Sequence, residues 1–502
     1  MSTIRSSWKS YVPPDPDRSP RCRRLFPLGA PIILFLASVP ARAAPPPAQV
    51  PTEPQSFQTQ GGGAFGFLTG ISRSSFLLGD MWGLRPALSR DGLSLGLEET
   101  SEVLGNISGG VRQGAKYDGL TQMVMQLDTQ RAFGWYGGTF NVSVLQIHGD
   151  NLSADNLLTL QTASGIEADR GTRLWELWYD QRFGQPGLSD VKIGQQSLDQ
   201  EFMVSQNALL FVNTMFGWPM LPSADLPGGG PAYPLSALGV RLRSQVNAWT
   251  FLAGVFNGSP VSNNNTGDPQ QQDPSGTSFP LNGGALVIAE VQYAYPSLGT
   301  LRYANQSAPL AGVYKLGIWY DTESFADQEL DNAGLSLANP RSTGTPLTHR
   351  GDYALYAVMD QMIWQDRNRA DRTLNFFLRP MWTPLEDRNL IDFSMNGGIT
   401  LHEPFLERDD DTFGLGMGYA HVSNRAAALD RDTQFFTGSF TPVRSSETYV
   451  EASYQYQVTP WWQLQPDVQY VFNPGAGIAN PNDPTQQVKN ETVIGLRTNI
   501  VF

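Results

Sequence analysis

The sequence predicts an all-β protein that crosses a membrane as an antiparallel β-barrel. Apolar and polar residues alternate with a period of two in many segments, and these segments have the length of about nine to eleven residues that a tilted barrel strand needs. Strands of soluble sandwiches are shorter, typically about five or six residues. Tyr and Trp recur near the segment ends, where amphipathic rings suit the boundary between lipid headgroups and hydrocarbon.

The beginning of the chain predicts export. Arg21, Arg23 and Arg24 precede an apolar stretch at residues 25–39, and residues 41–43 read Ala-Arg-Ala, the small-x-small form of a cleavage site. We therefore predict a signal peptide at residues 1–43, whose long polar beginning indicates a misassigned translation start. Cys22 is the single cysteine of the chain, so a mature protein without this segment is expected to hold no disulfide and no thiolate metal site.

Composition and charge describe the rest of the chain. Residues 44–70 are of low complexity, with Pro45–Pro47 and Gly61–Gly63, and predict a flexible lead-in to one barrel domain at residues 71–502. The net charge is −13, and removal of residues 1–43 leaves 27 basic and 45 acidic residues, a net charge of −18. Nucleic acid is therefore not an expected partner.

Beyond the predicted signal, no apolar run reaches the roughly 18 residues of a membrane helix, so a spanning chain would be a barrel.

The alternation is clearest in the C-terminal half. In residues 413–419, large apolar side chains alternate with Gly414, Gly416 and Gly418, and in residues 462–472 apolar residues alternate with Gln and Asp. Polar second faces suit a water-filled lumen. The same pattern occurs at residues 314–320, 449–458 and 491–502.

The last strand ends on Phe502. An amphipathic terminal strand with a final aromatic residue is typical of the closing seam of an outer-membrane barrel, and we expect it to contact outer-membrane lipid and the barrel-assembly machinery. The last strand of a soluble sandwich is the alternative for this segment alone.

The connections differ in length. Residues 257–280 and 324–348 are long and polar and predict extracellular loops. Residues 199–233 are partly apolar and do not alternate cleanly; they contain Glu201, Asn213, Phe216 and Trp218. We expect this segment to fold inward as a constriction loop.

No group of residues predicts catalysis. The four histidines, at positions 148, 349, 402 and 421, lack the spacing of metal ligands, and Asp409–Asp411 lacks the Gly and distal Glu of a calcium loop. We therefore expect no catalytic residue, no metal and no cofactor.

Several motifs resemble the carbohydrate-selective porin family (OprB type). The resemblance covers residues 76–502 and rests on Gly79-Asp80-Met81-Trp82-Gly83-Leu84-Arg85-Pro86, Glu176-Leu177-Trp178-Tyr179, Gly194-Gln195, the run from Gln465 to Tyr470 with Asn473-Pro474-Gly475, and Gly495-Leu496-Arg497. Met81 departs from the pattern, which has a small residue there. The resemblance implies a sixteen-stranded barrel in the outer membrane of a Gram-negative bacterium that passes glucose and other small neutral sugars by diffusion.

A sugar pore needs hydrogen-bonding side chains and a ring face at its narrowest part, and binding must stay weak for flux to continue. Alternation along this strand places Glu176, Trp178 and Asp180 toward the lumen. It places Trp175, Leu177 and Tyr179 toward lipid. Trp178 is therefore a candidate stacking surface for the sugar. The other candidate lining residues are Lys192, Glu201, Asn213, Trp218, Arg241, Arg243, Glu290, Lys315, Trp319, Arg379, Glu451, Asp467 and Arg497. For each of them an ordinary role as a solvated or salt-bridged wall residue is the alternative.

Two other functions are compatible with the sequence. One is a general diffusion porin, which the net charge would make cation-preferring, although total charge is a poor guide to the field inside a constriction. The other is a secreted all-β carbohydrate-binding protein or glycosidase. The sequence leaves open whether the barrel is a monomer or a trimer.

Overall fold

The computed structural model describes residues 75–184, 188–262, 267–296 and 310–502. The predicted signal peptide at residues 1–43 and the predicted lead-in at residues 44–70 lie outside these ranges. Within them the chain forms a closed barrel of sixteen antiparallel strands and a separate two-stranded hairpin. The prediction of an all-β barrel with about sixteen strands is therefore confirmed.

The barrel strands follow one another around the wall in chain order, apart from the hairpin β16–β17, which lies in the last long connection. Strand β18 closes the barrel by pairing with both β1 and β15. The strands are β1 Leu93–Ser108, β2 Gly114–Asp128, β3 Gly138–Gly149, β4 Gly171–Phe183, β5 Ser189–Gln196, β6 Ala237–Val246, β7 Trp249–Asn257, β8 Ala285–Tyr295, β9 Gly312–Asp331, β10 Pro346–Gln365, β11 Thr373–Trp382, β12 Ile391–His402, β13 Thr412–Val422, β14 Ser446–Thr459, β15 Trp462–Phe472, β16 Ala479–Asn480, β17 Asp483–Gln487 and β18 Glu491–Val501.

The strands form because their sequences alternate, so that each strand presents one face to the outside and one to the interior. In β15, Val468 is 48% exposed, whereas its neighbours Asp467 and Gln469 are buried. The buried set along the strands contains many charged and amide side chains. The interior of the barrel is thus polar, and the apolar positions form its outer surface.

The connections alternate in length between the two ends of the barrel. Residues 247–248 and 460–461 are tight turns at one end, whereas residues 197–236, 258–284 and 423–445 are long connections at the other. The predicted loop at residues 324–348 is shorter than expected, because β9 continues to Asp331 and β10 begins at Pro346. These two strands therefore extend well beyond the length that a bilayer requires.

Helices lie in the connections and in the segment before β1. They are α1 Leu84–Arg90, α2 Thr129–Phe133, α3 Met220–Asp225, α4 Pro269–Gln272 and α5 Asn424–Thr437. Helix α1 lies beside the barrel seam, where Arg85 donates hydrogen bonds to the main-chain oxygens of Leu95 and Phe502. Among the residues that the structure describes, no helix is both long enough and apolar enough to cross a membrane.

Candidate pore constriction

The connection between β5 and β6, residues 197–236, folds against the interior of the barrel, and we call it the lumenal loop. It contains 3-10 turns at Leu198–Gln200, Ala208–Leu210 and Thr214–Phe216, followed by α3. These irregular turns leave main-chain N–H and C=O groups without regular partners, and such groups need partners when they are buried. The barrel wall supplies these hydrogen-bond partners.

Basic side chains of the wall hold carbonyl groups of the loop. Arg379 of β11 donates to the carbonyls of Met203, Met215, Phe216 and Gly217 at 2.7–3.0 Å. Lys315 of β9 donates through Nζ to the carbonyl of Val204 at 2.7 Å. Arg497 of β18 reaches the carbonyl of Val212 at 3.5 Å and pairs with Glu102 at 2.8 Å.

Acidic side chains of the wall hold N–H groups of the loop. Glu290 of β8 accepts from the N–H of Met203 at 2.9 Å. Glu451 of β14 accepts from the N–H groups of Val212 and Asn213 at 2.6 and 3.0 Å. Asp360 of β10 accepts from the hydroxyl of Ser205 at 2.6 Å and from the amide of Asn207 at 2.8 Å. Charge-assisted bonds of this kind are stronger than neutral ones, so the loop is fixed at many points.

The glycines of β13 make room for the aromatic side chains of the loop. Phe211 and Phe216 stack with ring centroids 4.3 Å apart. A Cβ atom placed on Gly416 would lie 2.6 Å from Phe216 and 2.9 Å from Phe211, and one placed on Gly414 would lie 2.8 Å from Phe211. The alternation of large residues with glycine in β13 therefore has a packing reason, because a side chain at these positions would push the loop away from the wall.

A second group of charged residues lies where the lumenal loop meets β4, β5 and β6. Lys192 forms an ion pair with Glu201 of the loop, and its Nζ atom lies 4.3 Å from the centroid of the Trp178 ring. Arg241 forms ion pairs with Asp190 and, at 3.1 Å, with Glu201. We call Trp178, Asp180, Lys192, Glu201 and Arg241 the charged rim.

Most of the candidate lining residues are buried. The fully or nearly fully buried ones are held by the loop or the wall: Glu176, Asn213, Trp218, Glu290, Lys315, Trp319, Arg379, Glu451, Asp467 and Arg497. Within the charged rim, Asp180 and Lys192 are just as buried, at 9% and 8%, and only Trp178 and Glu201 keep intermediate exposure. Arg241 is also buried, at 3%, but the side chain of Arg243, two residues further along β6, is 46% exposed.

The structure places Glu176 inside the barrel and contradicts the prediction that Trp175 faces lipid. Glu176 accepts a hydrogen bond from the N–H of Ser197 at 3.1 Å, which places it inside. Trp175 is 1% exposed and packs edge to face on Tyr233 of the lumenal loop, so it does not face lipid. The pairing of β3 with β4 shifts between Ser143 and Val144, and this bulge turns Trp175 inward.

The structure adds wall residues that the sequence reasoning missed. Asp360 binds the loop, Asp190 pairs with Arg241, and Asn396 donates to the carbonyl of Met215 at 2.7 Å. Asp360 lies two and four residues after the inward-facing Val358 and Tyr356, so the alternation along β10 could have identified it. The alternation along a strand does not distinguish a residue that binds the loop from one that faces the pore.

An inward-folded loop inside a sixteen-stranded barrel with an apolar outer surface defines a porin of the outer membrane of Gram-negative bacteria. The model of the family described as "Carbohydrate-selective porin, OprB family" matches residues 112–502. The chain belongs to this family.

Similar proteins agree with this assignment. Porin B of Pseudomonas aeruginosa is 26% identical over 455 residues, which is 86% of this chain and 92% of that protein. A putative porin, QuiX, of Acinetobacter baylyi is 23% identical over 81% of this chain and 90% of its own length. The high-pH structure of Pseudomonas putida OprB has the same fold, with a TM-score of 0.71 and 24% identity over 86% of this chain and 99% of that one.

Proposed function

We propose that the chain passes glucose and other small neutral sugars into the periplasm by passive diffusion, and that the charged rim is the site where the sugar is held. The observation that carries this proposal is the position of Trp178, Lys192 and Glu201 at the edge of the lumenal loop. Sugar hydroxyls lose water at a constriction, and charged side chains can replace the lost hydrogen bonds. The C–H face of a sugar ring can rest on an indole.

The buried candidates have a different role in this proposal. Arg379 and Glu451 have their polar atoms turned to the main chain of the lumenal loop, so they position the loop and do not meet the sugar. Trp178 and Glu201 of the charged rim keep partial exposure and are left to contact solute. Opposite charges within one small rim suit a neutral polyol, because a hydroxyl both donates to a carboxylate and accepts from an ammonium or guanidinium group.

The test is single-channel conductance of the refolded protein in a planar bilayer, titrated with glucose and then with disaccharides. We expect glucose to reduce the ion current in a concentration-dependent manner. In Trp178→Ala, half-block should need a glucose concentration higher by about fivefold, because loss of a stacking contact costs about 1 kcal/mol. Trp382→Ala is the matched control, since Trp382 is 48% exposed on β11, away from the loop.

Other outcomes of this experiment would favour a different function. A steady current that no sugar reduces would indicate a general diffusion porin, and reversal potentials in a salt gradient would then report whether cations are preferred. Absence of any current, together with recovery of the protein from the soluble periplasm, would favour a secreted carbohydrate-binding protein or glycosidase.

A further inference from the structure

A polar cavity lies in the wall of the barrel at the end where the tight turns are. Its volume is about 330 Å³, and its lining comes from β1 to β4 and from α2. The connection between β2 and β3 belongs to this end, as do the turns at residues 247–248 and 460–461, because each follows an even-numbered strand. Short turns face the periplasm in barrels of this kind, so we call this cavity the exit pocket.

The exit pocket opens on the inner side of the wall, next to the charged rim. Ser94 lines the pocket and lies eight residues before Glu102, which points inward to pair with Arg497. Ser94 therefore points inward as well. Thr139 also lines the pocket, and it is the pairing partner of Asp180 of the charged rim. A solute that leaves the rim toward the periplasm therefore passes the exit pocket.

Arg182 of β4 brings a positive charge to the exit pocket. It lines the pocket, is exposed, and lies two residues after Asp180 on the same inward side of the strand. In the part of the chain that the structure describes, its guanidinium has no carboxylate within ion-pair distance. The residue opposite it on β5, Asp190, already forms an ion pair with Arg241. The wall therefore leaves the charge of Arg182 available to a solute.

The carboxylate that lines the exit pocket is occupied by α2. Asp128 accepts through Oδ1 from the N–H groups of Gln130 and Arg131, at 2.8 and 3.1 Å, and so caps this helix. The guanidinium of Arg131 lies 3.9 Å from the other oxygen of Asp128 and is 41% exposed. Two guanidinium groups, those of Arg131 and Arg182, thus share one carboxylate along the lining. The pocket carries a surplus of positive charge.

Amide groups beside this charge suit the hydroxyls of a sugar. Gln126 lines the pocket, and its Nε2 donates to Oδ1 of Asn141 at 3.1 Å. Asn141 is 2% exposed, and within the described residues its Nδ2 has no hydrogen-bond partner. A buried donor without an acceptor is unfavourable, and a hydroxyl oxygen can accept from it. Asn141 is the pairing partner of Trp178, so this donor lies between the pocket and the charged rim.

We propose that the exit pocket binds a sugar acid, a sugar that carries one carboxylate. The planar guanidinium of Arg182 pairs with the carboxylate, and the sugar hydroxyls exchange hydrogen bonds with Gln126 and Thr139. A neutral sugar leaves the charge of Arg182 unpaired, and a small anion without hydroxyls leaves the amide groups unused. The negative net charge of the chain does not oppose this binding, because local groups set the field inside a narrow lumen.

This inference rests on the proposed function, since it treats the chain as a sugar channel, and it extends the substrate class from neutral to acidic sugars. The site is separate from the charged rim. A solute held first at Trp178 and then at Arg182 moves toward the periplasm in two short steps, and neither contact needs to be tight.

Ligand-observed NMR of the refolded protein in detergent micelles tests the proposal, with gluconate, glucose and acetate titrated separately. We expect gluconate to bind more tightly than acetate, which lacks the hydroxyls. In Arg182→Gln, half-saturation should need a gluconate concentration higher by about tenfold, as expected for the loss of one charge-assisted hydrogen bond, while glucose binding stays unchanged. Arg431→Gln is the control, because Arg431 is exposed on α5, at the other end of the barrel.

A second variant tests the contribution of the hydroxyls. Gln126→Leu keeps both arginines and should lower the preference for gluconate over acetate by about fivefold, as expected for one neutral hydrogen bond. Equal affinity of the parent protein for gluconate and acetate would overturn the proposal in favour of a site for any small anion. Equal weakening in Arg182→Gln and Arg431→Gln would also overturn it, because the attraction would then be nonspecific.

The result is distinguishable from failure of the proposed function. If glucose reduces the single-channel current but gluconate binding does not depend on Arg182, the exit pocket is not a sugar-acid site and the neutral-sugar function stands. If gluconate binding depends on Arg182 but glucose leaves the current unchanged, the exit pocket is supported and the neutral-sugar function fails.

Discussion

Arg379 is the residue that most directly ties the lumenal loop to the barrel. It is 1% exposed, and its N–H groups are directed at four loop carbonyls and at the side-chain oxygen of Asn396. A planar guanidinium can satisfy several acceptors at once, which an ammonium group on a flexible chain cannot do in the same geometry. The residue is thus better described as a positioning residue than as a sugar contact.

We predict that Arg379→Met loosens the loop. Each buried carbonyl left without a donor costs roughly 1–3 kcal/mol, so the loop should detach locally while the sixteen strands stay paired. The expected results are a larger single-channel conductance and faster protease cleavage within residues 197–236. Arg243→Met is the control, because Arg243 is 46% exposed and its ion pair with Asp190 is 4.0 Å long. Equal effects of the two substitutions would contradict this role of Arg379.

Among the strands, β13 is adapted to the loop that lies against it. Its outward residues Leu415 and Met417 are 43% and 41% exposed, whereas its inward glycines leave space for Phe211 and Phe216. Strand β13 therefore shows how a two-residue alternation can specify the lipid surface with one set of residues and the shape of the lumen with the other.

We predict that Gly416→Ala displaces the aromatic cluster of the loop. The new methyl group would approach Phe216 to within 2.6 Å, and overpacking of this kind typically costs 1–3 kcal/mol. The denaturation midpoint should fall and the conductance should change. Gly105→Ala is the matched control on another strand, because a Cβ there has its nearest neighbour at an ordinary 3.5 Å. Identical behaviour of the two alanine variants would argue against the packing explanation.

The connection between β3 and β4 contains an acid that should make its stability depend on pH. Glu167 accepts hydrogen bonds from the N–H groups of Leu152 and Ser153 at 3.1 Å. Burial, assisted by repulsion from Glu102, raises the pKa of Glu167 to about 7. Because the folded state holds the proton more tightly than the unfolded chain does, the stability is fully present below the ordinary pKa and is lost as pH rises through about 7.

The measurement is amide hydrogen exchange at Leu152 and Ser153 between pH 4 and pH 8, corrected for the intrinsic pH dependence of exchange. Protection should decrease through this range in the parent protein. In Glu167→Gln the decrease should be absent, because the amide does not ionise. A decrease of the same size in both proteins would assign the effect to another group.

For the molecule as a whole, the seam between the first and last strands is reinforced from outside the sheet. Arg85 of α1 donates to the carbonyl of Leu95 at 2.7 Å and to the main-chain oxygen of Phe502, and its guanidinium carbon lies 4.2 Å from the centroid of the Phe76 ring. The N–H of Leu77 also donates to the carbonyl of Val501 at 2.8 Å. The segment before β1 thus joins the two ends of the barrel.

We predict that Arg85→Met weakens closure of the barrel. Loss of hydrogen bonds from a charged group typically costs about 1.5–3 kcal/mol, and the lost contacts lie at the one place where the chain must join its own beginning. The midpoint of denaturation in detergent should fall. Arg90→Met is the control on the same helix, since Arg90 is exposed. If both variants unfold at the same denaturant concentration, the contact at Phe502 does not reinforce the seam.

Some features of this barrel could be read from the sequence because they depend on local pattern. The two-residue alternation of β13, β14 and β15 follows from the pleat of a strand, so these strands and the closing role of residues 491–502 were predicted correctly. The inward fold of the segment containing Glu201 and Phe216 was also expected, because its apolar residues lack strand periodicity.

Other features depend on contacts between residues that are distant in the sequence. The bulge that turns Trp175 inward is an irregularity in the pairing of β3 with β4, and a period of two cannot reveal it. Whether Arg379 faces solvent or the loop depends on where the lumenal loop lies, and this loop is separated from Arg379 by more than a hundred residues. The alternation of the chain determined which residues face the interior, and long-range packing determined which of them hold the loop and which remain open to the pore.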